Sequence, residues 1–95
     1  LMQTDYSTYS VLELSSKVEY TLLALLELAS HSPQFCPLTT VAINEKHKIP
    51  ERYLEQVLAT LRRGGLVRSQ RGARGGFVLA RDPREITLLE IFMLV

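Results

Sequence analysis

The side chains best suited to chemistry lie between Arg52 and Arg74. Leu54, Val57, Leu58 and Leu61 recur at the i, i+3, i+4, i+7 spacing of one helix face, which must turn toward a core. The opposite face then carries Arg52, Gln56, Ala59 and Arg63, with Tyr53 and Glu55 on its flanks. These groups suit the major groove of duplex DNA. Arg pairs bidentately with guanine, Gln with adenine, and Glu accepts from cytosine N4. Ala59 keeps the middle of the face low enough for a close approach. Arg62, Arg63 and Arg68 are expected to meet phosphates, which fix register without reading sequence. Further on, Gly72, Gly75 and Gly76 let a loop turn tightly, while Arg71 and Arg74 bring charge to its tip. A narrow minor groove concentrates negative potential and attracts such arginines. Taken alone, a Gly/Arg loop reads sooner as a solvated turn; after a helix-turn-helix with a polar outer face, it reads as a nucleic-acid contact.

These residues need elements to hold them. A helix over about 50–63 carries the polar face, with Pro50 near its first turn, where a missing N–H costs nothing, and Gly64-Gly65 as its stop. Before it, Thr39 reads as the N-cap of a short helix reaching about Lys46, with Val41, Ala42 and Ile43 on its buried side. Only His47-Lys48-Ile49 separates the two, the layout of a helix-turn-helix. After it, strands over about 66–70 and 76–80 form a hairpin, the wing. Upstream, Ser16 and Glu19 have the spacing of a capping box that opens a helix running to about Ser30 and ended by His31-Ser32-Pro33. Val18, Leu22, Leu25, Leu26 and Ala29, widened by Leu23 and Leu28, make that helix apolar enough for the middle of a core. Thr87 and Glu90 open a last helix that is still apolar at Val95. The expected organisation is a flexible arm over 1–12, a winged helix-turn-helix domain over 13–86, and the start of a C-terminal helix over 87–95. The fold class is mainly α with a small β-hairpin wing.

Composition agrees with one globular domain: 46% of residues are apolar and 22% charged. The stretch from Leu22 to Leu28 contains Glu27 and is far too short to span a bilayer. No basic segment with a cleavage site opens the chain, and a single cysteine, Cys36, fits a reducing cytoplasm. The net charge of +1 hides an asymmetry, because six arginines and one glutamate lie between Arg52 and Arg74. Concentrated positive charge marks a polyanion-binding face. The chain has no nucleophile–base arrangement, phosphate loop or metal motif, so an enzyme has nothing to stand on. Cys36 lies between Phe35 and Pro37 with no acid or His beside it, and reads as packing or incidental. His31 and His47 lack ligand spacing with it and read as cap or surface residues. Glu19 and Glu27, eight apart, read as a solvated stripe. The rival to DNA binding is a winged-helix protein- or RNA-interaction module, which would expose apolar residues on the third helix.

The strings LSSKVEYTLLALLELA (14–29), YLEQVLATLRRGGLV (53–67), RGARGGFVLAR (71–81) and EITLLEI (85–91) resemble the IscR/NsrR-type winged-helix transcription regulators of bacteria. The resemblance covers nearly everything from Leu14 to Val95. It implies a repressor or activator that works as a homodimer on a palindromic operator, with Tyr53, Glu55 and Gln56 in the recognition helix and Arg71 in the wing. Lys17 and Tyr20 match the first-helix pattern, and Lys17 and Thr39 are expected at the DNA backbone. Members of this family continue into a loop, often with three cysteines that hold an iron–sulfur cluster, and then a long helix that pairs two subunits. The 95 residues contain none of those cysteines and bind no cluster by thiolates alone, so redox or iron–sulfur sensing belongs to the longer protein. In some relatives a first-helix carboxylate supplies a further ligand, and Glu19 matches that position, where the capping-box role competes with it. Two departures stand out. Lys48 occupies the turn position where the family usually has Gly, which calls for a backbone near the left-handed region. The wing reads Arg-Gly-Ala-Arg-Gly-Gly where Arg-Gly-Pro-Gly-Gly-Gly is commoner, making it less rigid and more cationic.

Overall fold

The computed structural model describes residues 2–30, 36–73 and 75–95, with side chains from Ser15 onward. The order is α1 (Met2–Ser30), α2 (Thr40–Ile43), α3 (Glu51–Arg63), β1 (Val67–Gln70), β2 (Gly76–Leu79), a 3-10 turn (Pro83–Glu85) and α4 (Leu88–Leu94). Helix α1 is the spine, packing against α3, β2, α4 and α2. Its start differs from the sequence expectation. The helix begins at Met2, so Ser16 lies inside it and the Ser16–Glu19 capping box does not form. Residues 2–14 contain no Gly or Pro, and extending an existing helix is far easier than nucleating one. The core face of α1 is also narrower than its composition suggests. Ala24, Leu25 and Leu28 are buried, as is Thr21, whose hydroxyl donates to the Lys17 carbonyl at 2.6 Å, but Leu26 is 61% exposed. Residues 31–35, including His31 and the expected stop, lie outside the described residues.

Thr39 caps α2 as expected, its hydroxyl accepting from the Ala42 N–H at 3.1 Å. The helix ends earlier than Lys46, and of its apolar residues Ile43 is buried, Ala42 half-buried and Val41 exposed. The side chain of Asn44 explains the early stop. Its Oδ1 accepts from the Ile49 N–H at 2.6 Å and its Nδ2 donates to the Ile49 carbonyl at 2.7 Å, which closes the turn. Within that loop the Ile49 N–H also meets the His47 carbonyl, the i to i+2 pattern of a γ-turn centred on Lys48. No described non-Gly residue has positive φ, so Lys48 does not adopt the left-handed conformation expected for it. An inverse γ-turn keeps φ negative, and a lysine takes it without strain.

Helix α3 then buries Leu54, Val57, Leu58 and Leu61, the four positions read from the spacing. Pro50 is its N-cap, and Glu51 in the first turn with Arg62 and Arg63 in the last complement the helix dipole. It ends in a Schellman motif. Gly65, at φ +79°, donates to the Arg62 carbonyl at 3.1 Å, and Leu66 donates to Leu61 at 3.0 Å. Leu61 and Leu66 are both buried, which adds the hydrophobic contact typical of the motif. The chain passes directly into the antiparallel hairpin, in register Val67↔Leu79, Arg68↔Val78, Ser69↔Phe77 and Gln70↔Gly76. On its other edge β2 bridges Leu38 through reciprocal bonds between Phe77 and Leu38 of 2.8 and 2.9 Å. Gly76 makes this approach possible. Its φ is +149°, and a Cβ there would lie 2.5 Å from the Leu38 carbonyl oxygen. The Thr87–Glu90 capping box is present in full at the start of α4.

Candidate nucleic-acid interface

Four of the residues assigned to the reading face project as the spacing implied. Arg52, Glu55, Gln56 and Arg63 are exposed on α3, and half-buried Ala59 lowers the surface among them. Arg62 is exposed beside them, and Arg63 also donates to the Thr60 hydroxyl at 3.5 Å. Tyr53 behaves differently. It is half-buried against the core, and its ring centroid lies 5.4 Å from that of Tyr20 on α1, tilted by 39°. The Arg52 guanidinium carbon lies over the Tyr53 ring, 5.1 Å from its centroid. Arg68 on β1 and Arg71, Gly72 and Ala73 in the hairpin loop are exposed. The Gly75 N–H donates to the Gly72 carbonyl at 2.9 Å, which tightens that loop. Arg74 lies outside the described residues. Lys17 and Thr39 are exposed, and the Thr39 hydroxyl is already engaged as the α2 cap.

The pairing of the arginines separates them into two groups. Among the described residues Arg52, Arg62, Arg63, Arg68 and Arg71 form no ion pair. Past the wing, Arg81 donates to Glu90 at 3.0 Å and Arg84 to Asp82 at 2.8 Å. Those contacts hold the Asp82 and Glu90 carboxyls below the usual carboxylate range, in each case chiefly through the arginine's side-chain hydrogen bond. They also push the Arg84 guanidinium up. The fold therefore neutralises its arginines at the α4 end and leaves the α3 and β1 set uncompensated.

Sequence reasoning missed two positioning contacts. Besides the Asn44 closure, His47 Nε2 lies 3.2 Å from Glu27 Oε2, tying the turn between α2 and α3 to α1. Glu27 is thus engaged rather than part of a solvated stripe. Nothing in the spacing signals a contact across twenty residues; the asparagine before a short turn was the one available hint for the closure. Glu19 is exposed on α1 and Cys36 is exposed rather than packed. Among the described residues no group of three or more His, Cys, Asp or Glu comes together as a metal site. With one cysteine in the chain, the thiolate set for an iron–sulfur cluster is not supplied by these residues. No described helix is long and apolar enough to cross a membrane.

A helix-turn-helix with a cationic outer face, followed by a basic hairpin, is a winged-helix arrangement. The sequence profile of the Rrf2 family, described as iron-dependent transcriptional regulators, matches residues 14–95, and the chain belongs to that family. It is 40% identical to the HTH-type transcriptional regulator IscR of Photorhabdus laumondii over 84 residues, which cover 88% of this chain and 51% of that protein. The solved structure of T. potens IscR superposes with a TM-score of 0.77 at 42% identity, over 83% of this chain and 57% of that one. CymR, the global cysteine regulator of B. subtilis, does so with a TM-score of 0.73 at 39% identity, over 82% and 60%. The chain spans about half the length of the curated relatives it matches. Their names carry a regulatory role and no enzymatic one.

Proposed function

We propose that these residues are the sequence-specific DNA-reading part of a transcription regulator, with α3 in the major groove and the wing on the minor groove or the backbone. The observation that carries this reading is the set of exposed, unpaired arginines on α3, β1 and the wing, against the paired arginines beyond it. A protein-docking module would turn apolar side chains outward on α3, whereas its buried leucines and valine are matched here by an outer face of Arg52, Glu55, Gln56 and Arg63. Base reading falls to Arg52, Glu55 and Gln56 around Ala59. Lys17, Thr39, Arg62, Arg63, Arg68, Arg71, Gly72, Arg74 and Gly75 serve the DNA backbone and the wing. The whole protein acts in the cytoplasm as a homodimer on a palindromic operator, with half-sites about one helical turn or more apart. An iron–sulfur cluster in the whole protein would draw its set of thiolates from outside these 95 residues.

A binding-site selection on Gln56→Ala tests the assignment. Loss of one base contact costs about 1–3 kcal/mol of discrimination, so the selected motif should relax at one position per half-site. A variant that returns the parental motif at unchanged stringency removes α3 as the reader.

A further inference from the structure

We infer that Tyr53, backed by Tyr20, is a positioning residue that holds the Arg52 guanidinium ready for a guanine edge. Tyr53 then sets the specificity of the base pair that Arg52 meets without touching it. The inference rests on α3 being the reading helix. Three contacts in series carry it. Tyr20 stands on α1, the spine of the core, and is half-buried against it. Its ring meets that of Tyr53 at 5.4 Å, an aromatic pair within the favourable 4.5–7 Å range, which fixes the Tyr53 plane. The Arg52 guanidinium carbon stands 5.1 Å from the centroid of that fixed ring, within cation–π reach. Among the described residues no carboxylate pairs with Arg52, although Glu51 and Glu55 are close in sequence, so the ring is its partner.

The chemistry of the guanidinium makes this useful for reading. Its five N–H donors lie in its own plane, so an aromatic partner against its face leaves the in-plane fork free. A carboxylate partner would occupy that fork. The fork is what pairs with guanine O6 and N7, and an arginine already held loses less rotamer freedom when it binds. Tyr53 thereby does its work from beneath the reading face, which accounts for its half-burial beside the exposed Arg52, Glu55 and Gln56.

The test uses the 95-residue chain and duplexes from a selection performed with it, each base pair then varied singly. Arg52→Ala should flatten a guanine preference at one position. Tyr53→Leu should reduce that same preference about two- to fivefold, the range of an exposed cation–π contact, with other positions unchanged. Tyr53→Phe keeps the ring and should keep the preference, and in the Arg52→Ala background Tyr53→Leu should add nothing at that position. A Tyr53→Leu variant that weakens all duplexes equally, with the preference intact, overturns the inference while leaving α3 as the reader. An Arg52→Ala motif identical to the parental one overturns the reading helix as well. Should Tyr53→Leu fail to fold, proton NMR of the unaltered free chain decides. Arg52 side-chain resonances shifted upfield by the ring support the inference, and unshifted ones overturn it.

Discussion

Arg84 grips Asp82 with two donors, Nη2 to Oδ2 at 2.8 Å and Nε to Oδ1 at 3.2 Å, and Arg81 joins Glu90 to the end of the wing. Glu90 also accepts from the Thr87 N–H at 3.2 Å, so a single carboxylate serves a helix cap and an ion pair. Both acids have their pKa lowered in the fold. Their stabilising contribution is therefore fully present above the ordinary carboxylate range. It is lost as pH falls through that range toward the folded values. Thermal midpoints across the acid range should fall for the parent chain, and Glu90→Gln should shallow that fall while lowering the neutral-pH midpoint. An acid limb unchanged by the substitution would show that Glu90 contributes nothing there. At this scale much was legible: the buried and exposed sides of α3 follow from spacing alone, because a 3.6-residue period allows one apolar stripe. Tyr53 was not. An amphipathic ring at the edge of the stripe can turn either way, and Tyr20, thirty-three positions earlier, decides which.

Elements show a similar division. The S/T-x-x-E spacing occurs twice, at Ser16–Glu19 and Thr87–Glu90, and only the second is a cap. The spacing is local, whereas a helix start also depends on whether the preceding residues can extend the helix. Residues 2–14 can, while Pro83 and the 3-10 turn before Thr87 break the chain there. The helix-turn-helix was legible because Gly64-Gly65 and Pro50 are strong stop and start signals, but the turn chemistry was not. The glycine usual in the family implies a left-handed backbone at this turn, whereas a γ-turn centred on Lys48 and the Asn44 side chain close it with negative φ. The wing glycines carry a further lesson. Gly76, read from the sequence as a residue that lets the loop turn tightly, also brings β2 against Leu38 of its own chain. Gly76→Ala should destabilise the fold by about 1–3 kcal/mol, through the positive φ and the contact with the Leu38 carbonyl. Urea denaturation reads this directly, and a midpoint equal to the parent's would mean that the edge bridge is dispensable.

Across the whole molecule, the charge asymmetry seen along the sequence becomes an asymmetry of pairing. The hairpin emerges from the Schellman turn of α3, so Arg62, Arg63 and Arg68 lie on consecutive elements joined by the three residues Gly64, Gly65 and Leu66. Helix α4, with Leu88, Leu89, Phe92 and Met93 exposed, takes no part in that cationic surface. The division agrees with an Rrf2-family chain in which one end meets a polyanion. It also separates the unpaired arginines, which the proposal assigns to that meeting, from the paired Arg81 and Arg84, a distinction that composition does not draw. The most direct test is the slope of log K against log salt for the chain on duplex DNA. Each neutralised phosphate contributes about −0.9, so several of these arginines together should give a slope of about −3 or steeper. Arg71→Ala should make it shallower by about 0.9, and Arg84→Ala should leave it unchanged. A slope near zero, or an equal loss from Arg84→Ala, would contradict the account.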